Sequence, residues 1–157
     1  MILTQLALLL LVQAAPAQQL TGPERFFIGR VEGTGTVRII FSGTSTVRDV
    51  SRGRMERGAL IIDQIVQQEG SAPRRRTWRL VRNGANRFTG SISDVSGAVQ
   101  GEVNGNVLHL RYRTTQGPTV EQWITLHPNG RTATNRMTFR RFGIQVATVE
   151  EVIRKVD

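Results

Sequence analysis

From Phe27 to the C-terminus, apolar and polar residues alternate with period two, and turn-forming residues interrupt the alternation every eight to twelve positions. This is the pattern of half-buried strands joined by tight links. Strands are predicted over 31–41, 46–54, 59–67, 74–82, 87–93, 98–103, 107–114, 119–126, 132–140 and 144–153. Gly33 and Gly35 should weaken or bend the start of the first. Asn83-Gly84 is a hairpin signal, and Asn104-Gly105-Asn106 and His127-Pro128-Asn129-Gly130 are further tight turns. The last segment can end as a short helix.

The alternation also assigns faces. Leu60, Ile62, Gln64 and Val66 fall together, as do Arg76, Trp78 and Leu80. Leu108, Leu110 and Tyr112 form one apolar face, which leaves His109, Arg111 and Arg113 on the other. About ten short strands in hairpin succession close most economically into an all-β, single antiparallel up-and-down β-barrel of lipocalin or calycin type, because closure removes the sheet edges. Before it stands a short N-terminal helical turn over 21–27, which Thr21 could cap and whose Phe26-Phe27 could plug a barrel end. No repeat, linker or low-complexity segment divides residues 18–157, so they are expected to form one domain.

The first residues follow a different rule. Ile2 to Val12 is uncharged and mostly Leu, Ile, Ala and Val, and Ala15-Pro16-Ala17 follows with small residues at both positions that a signal peptidase reads. Such a run is too short to span about 30 Å of hydrocarbon as a helix. Residues 1–17 are therefore expected to be a signal peptide, cleaved after Ala17, with the product in the periplasm.

Charge and composition narrow the chemistry. The chain has 157 residues and no cysteine, which removes disulfides, thiolate metal sites, a cysteine nucleophile and a cysteine-borne lipid. Two histidines, His109 and His127, leave little for a histidine-based metal site. Lys and Arg number 21 against 12 Asp and Glu, and Lys155 is the single lysine. The arginine clusters 52–57, 74–82 and 140–141 split between two faces in alternating strands. That favours a general attraction to anionic surfaces, with peripheral contact at an anionic membrane, over specific nucleic-acid recognition.

Several stretches in fixed order carry a resemblance: Phe26-Phe27-Ile28-Gly29, Arg76-Thr77-Trp78-Arg79-Leu80, Ser93-Asp94-Val95-Ser96-Gly97, Gly105-Asn106-Val107-Leu108 leading to Tyr112, Gln122-Trp123, Asn135-Arg136-Met137 and Phe142-Gly143-Ile144. Together they resemble the bacterial envelope family of unknown function DUF3833, over nearly the whole of residues 18–157. The resemblance implies a small exported barrel with no established activity. It also implies lipoprotein relatives, from which this chain departs in lacking a cysteine, and acidic residues where this chain has Gln64 and Gln122.

The candidate ligand-binding residues are Arg76, Trp78, Tyr112, Trp123 and Asn135. If Trp78 points inward, so does Arg76, and a buried guanidinium must be paired, by Asp94, by Asp63 or by an anionic ligand group. Tyr112 inside could offer its hydroxyl to a ligand or to Arg76. Gly33-x-Gly35 opens no helix and is no dinucleotide fingerprint. The expected function is binding of a small amphipathic or lipid-like molecule in the barrel, without catalysis, metal or cofactor. The alternative is an envelope accessory protein acting through its basic surface. A hydrolase or isomerase using Asp94, Asp63 or Glu32 ranks third.

Overall fold

The computed structural model describes residues 22–157. The expected signal peptide and the Thr21 cap lie outside the described residues. Ten strands follow one another: β1 Gly29–Ile39, β2 Gly43–Glu56, β3 Ala59–Gln68, β4 Arg74–Arg82, β5 Arg87–Ile92, β6 Val95–Asn104, β7 Val107–Thr114, β8 Thr119–Leu126, β9 Thr132–Arg141 and β10 Ile144–Lys155. Each pairs antiparallel with its neighbours in sequence, and β1 closes the ring on β10, with Val31 opposite Lys155 and Ile39 opposite Ala147. The expected up-and-down barrel is the fold.

The turns explain the tightness of the links. Arg57-Gly58 and Phe142-Gly143 both have positive φ at their two central residues, the twist that matches two-residue hairpins. In β10 the expected helical end does not form. Glu151 and Ile153 pair with Gly35 and Gly33 on one side and with Asn135 and Ala133 on the other, so ladder partners override the local preference of Glu-Glu-Val-Ile-Arg-Lys.

Antiparallel order sorts the links between two ends. The links 57–58, 83–86, 105–106 and 127–131 lie at one end together with the 3₁₀ helix Pro23–Phe27, which plugs it. Phe26 and Phe27 are buried and meet edge to face at 5.4 Å. Glu24, fully buried, pairs with Arg82, and Lys155 Nζ donates to the carbonyls of Phe26 and Ile28. The first backbone turn crosses β2 so closely that a Cβ at Gly53 would lie 1.8 Å from the Phe27 carbonyl oxygen. Only glycine allows that approach.

The main core fills this plugged half. It joins the two plug phenylalanines to Leu60, Leu80, Leu108, Leu110, Ile124 and Ile153. The links 40–42, 69–73, 93–94, 115–118 and 142–143 lie at the other end, where a second, smaller cluster of Val37, Val47 and Val149 lines one wall. Between the two apolar regions the inward positions turn polar.

Candidate functional site

The inward face of β2 reads Val47, Asp49, Ser51, and that of β10 reads Val149, Glu151, Ile153. Each strand thus carries one carboxylate at mid-height, Asp49 between Val47 and Ser51 and Glu151 between Val149 and Ile153. The strand between them, β1, places Gly33 and Gly35 at the same level, opposite Asp49 and Glu151 respectively. A Cβ at Gly33 would lie 2.9 Å from Asp49 Oδ1, so the missing side chain is the space the carboxylate occupies. Gly33 thus makes room for a buried carboxylate, and Gly35, whose Cβ would lie 1.9 Å from the Glu150 carbonyl oxygen, lets the β10 backbone approach.

Two chains of side-chain hydrogen bonds converge on that pair. On one side Trp78 Nε1 donates to Gln64 Oε1 at 3.0 Å, and Gln64 Nε2 donates to Asp49 Oδ2 at 3.2 Å. On the other, the Tyr112 hydroxyl donates to Gln122 Oε1 at 3.5 Å. Gln122 Nε2 donates to Asn135 Oδ1 at 3.0 Å, and Asn135 Nδ2 donates to Glu151 Oε2 at 2.6 Å. Every amide in this belt turns its oxygen away from the carboxylates and its NH₂ group toward them. Buried polar groups with a satisfied network of this kind hold one arrangement rigidly.

The electrostatics follow from burial. Loss of water pushes Asp49 up to about 6, against the pull of the Gln64 and Gly33 hydrogen bonds and the Arg76 charge. Burial, then the neighbouring Asp49 charge, pushes Glu151 up to about 7, with Asn135 and Arg76 acting in the opposite sense. Such a pair titrates as a unit, and near neutral pH it retains a proton that either carboxyl alone in water would have lost. Burial pushes the Tyr112 hydroxyl up to about 12, so it stays a donor at neutral pH.

Above the belt the barrel is hollow. A cavity of about 410 Å³ reaches from Asp49, Glu151, Gln64, Gln122 and Asn135 to the open end. Below the belt only a void of about 40 Å³ separates it from the packed core. One wall of this cup is apolar, from Val37, Val47, Val66, Met137, Phe139 and Val149. The opposite flank carries Arg76, Arg74, Asp94, Trp78 and Tyr112. Arg76 and Arg74 reach the same Asp94 oxygen, at 3.0 and 3.3 Å, so two guanidiniums share one carboxylate and the flank is net cationic. Burial, and then the charge of Arg76, lowers the Arg74 pKa from its ordinary value. Arg76 lies 5.9 Å from the Trp78 ring centre. Arg76 Nε and Asp94 Oδ1 are buried without a hydrogen-bond partner. Both atoms belong to residues that line the cup.

Arg76, Trp78, Tyr112 and Asn135 therefore meet in one cavity, and of the two protein partners expected for Arg76 it is Asp94 that serves. Trp123 does not join them. On β8 the inward positions are Val120, Gln122 and Ile124, so Trp123 points outward and stacks on His109 at 4.7 Å. Asp63 and Glu32 also lie outside, held by Arg54 at 2.6 Å and Arg30 at 2.7 Å. Sequence reasoning missed Asp49 and Glu151. Their signal was a carboxylate at an inward position two residues from a buried valine, Val47 for Asp49 and Val149 for Glu151. Among the described residues no group of three or more His, Asp or Glu could hold a metal ion.

Comparison with known proteins agrees with the fold. The family model described as "Protein of unknown function (DUF3833)" matches residues 8–155. No curated protein matches the chain in sequence. Among solved structures, the S-type phycobiliprotein lyase CPES from Guillardia theta superposes with a TM-score of 0.65 at 5% identity, covering 85% of this chain and 90% of that one. At that identity the likeness is one of fold.

Proposed function

Since the chain belongs to the DUF3833 family, whose description assigns no activity, we propose from the site itself that the barrel is a carrier for a small amphipathic molecule bearing an anionic group. The observation that carries this reading is the cup of about 410 Å³ with one apolar wall and one cationic flank. That volume falls in the range of small-molecule pockets, which combine apolar lining with a few placed polar groups. An apolar body would lie along Val47, Val149, Met137 and Phe139, and its anion would meet Arg76 and Arg74. The acidic pair and its amides form a floor that accepts and donates hydrogen bonds to whatever end reaches it. The cargo is bound and released without bond chemistry. Export through the 1–17 segment, with cleavage after Ala17, would place the carrier in the periplasm.

Titration with dansylated undecanoate, an anionic fluorescent amphipath, tests the reading. The wild type should enhance the probe's fluorescence saturably. Arg76→Leu should weaken binding by about 1.5 to 3 kcal/mol, the scale of a hydrogen bond to a charged group. Val149→Trp, which fills the cup from its apolar wall and touches no charge, should abolish binding. Absence of binding to the wild type, or unchanged binding in Val149→Trp, overturns the proposal.

A second reading has its own support. Asp49 and Glu151 titrate near neutral pH at the foot of a cleft, the arrangement that suits general acid–base work. Its mark would be Glu151→Gln losing turnover of a bound substrate while keeping affinity.

A further inference from the structure

Two features of the open end have no role in the cup. At the tip of the β1–β2 link Phe41 is 100% exposed, and at the tip of the β9–β10 link Phe142 is 96% exposed. Around them Ile40 and Ile144 are also exposed, at 44% and 64%. These two hairpins are neighbours in the ring, because β1 pairs with β10 and the Ile40 N–H donates to the Val146 carbonyl at 2.9 Å. The apolar residues therefore form one cluster beside the mouth.

Both phenylalanines have positive φ, 64° and 51°. Turn positions of this kind favour Asn, Asp or Gly, and a bulky aromatic there is an uncommon and costly choice. Neither ring gains burial in return. A large exposed apolar patch with a polar rim marks a contact surface.

The rim is basic. Arg38, Arg48, Arg75, Arg113 and Arg141 are exposed near this end, with Arg140 half-buried. Among the described residues Arg38, Arg48 and Arg140 form no ion pair. The carboxylates in the links at this end are Glu69 and Asp94. Asp94 is taken by Arg74 and Arg76, and Glu69 accepts from the Thr46 N–H and hydroxyl.

We propose that the mouth of the barrel docks on an anionic lipid bilayer. Phe41 and Phe142 enter the boundary between headgroups and acyl chains, and the arginine rim meets lipid phosphates. Aromatic and aliphatic anchors with arginines beside them are the signature of interfacial binding, where apolar burial and attraction to anionic lipid add. A second copy of this chain would bring the same basic rim against itself, so charge complementarity selects the membrane. Docked in this way, the cup opens onto the bilayer surface. The inference goes beyond the carrier reading, since the patch would dock even if the cup were empty.

Co-sedimentation of the purified chain with vesicles is the test. Vesicles of equal parts phosphatidylcholine and phosphatidylglycerol should retain it at low salt, and pure phosphatidylcholine vesicles should retain far less. Phe41→Ser and Phe142→Ser should each weaken retention about tenfold, the scale of returning one ring to water. Both variants should keep the wild-type thermal transition and the wild-type response to dansylated undecanoate, which separates loss of docking from loss of the cup. Failure of the wild type to bind anionic vesicles overturns the proposal. So does undiminished retention of the double variant, or wild-type self-association that the double variant abolishes.

Discussion

Glu151→Gln should make the protein more stable in mild alkali and no more stable in acid. The amide keeps the shape of the carboxylate and can still accept from Asn135 Nδ2. The variant therefore removes one buried charge and orphans no partner. In the folded protein Glu151 is pushed from 4.5 up to about 7. The folded state thus binds its proton more tightly than the unfolded state, and stability contributed by the protonated group is present below about pH 4.5 and lost as the pH climbs to about 7. At about 1.4 kcal/mol per pH unit that interval corresponds to about 3 kcal/mol.

Urea unfolding at pH 4.5 and pH 8 checks this. Relative to wild type, Glu151→Gln should gain about 1 to 3 kcal/mol at pH 8, in line with the neutralisation of other buried charges, and about nothing at pH 4.5. A wild type equally stable at the two pH values, once other titrating groups are cancelled by comparison with the variant, would refute the buried acidic pair. So would a variant less stable than wild type at pH 8.

Gly33 and Gly35 of β1 should respond differently to a methyl group. At Gly35 a Cβ would sit 1.9 Å from the Glu150 carbonyl oxygen, backbone that cannot swing aside, so Gly35→Ala should cost more than about 3 kcal/mol by urea unfolding. At Gly33 the obstacle is the Asp49 carboxylate, a side chain that can rotate, and Gly33→Ala should cost about 1 to 2 kcal/mol; equal losses would contradict the packing. The tryptophans should also separate. Trp78→Phe, which removes the indole that lines the cup, should weaken binding of dansylated undecanoate, whereas Trp123→Phe should leave affinity intact.

The barrel was legible because its punctuation is local. Strand β4 occupies 74–82 as expected, since Pro73 precedes it and Asn83-Gly84 follows it. The parity rule then put Arg76 and Trp78 on one face and Tyr112 on an apolar face, while Asn135 entered as a candidate without a face. Trp123 shows how chemistry can distract from parity. Its neighbour Gln122 takes the opposite face, and it is the glutamine that enters the barrel. Asp49 and Glu151 stayed hidden for a different reason. A carboxylate in an apolar alternation reads as a surface residue unless its partner is known, and the two stand 102 positions apart in the chain, brought together only by ring closure. The end of β10 was obscured by Glu-Glu-Val-Ile-Arg-Lys, whose local preference yields to pairing on both sides.

That closure has a kinetic meaning. Every other seam in the ring joins consecutive strands across a short link, but the seam of β1 with β10 joins the two ends of the domain and carries the largest loop entropy. Hairpins close over short loops, whereas this seam brings Val31 to Lys155 across the length of the domain. Asp49 sits on β2 and Glu151 on β10, so their like charges first confront each other as the seam shuts. Closing the seam is thus the step that brings the acidic pair together, and the burial that raises both groups comes with it.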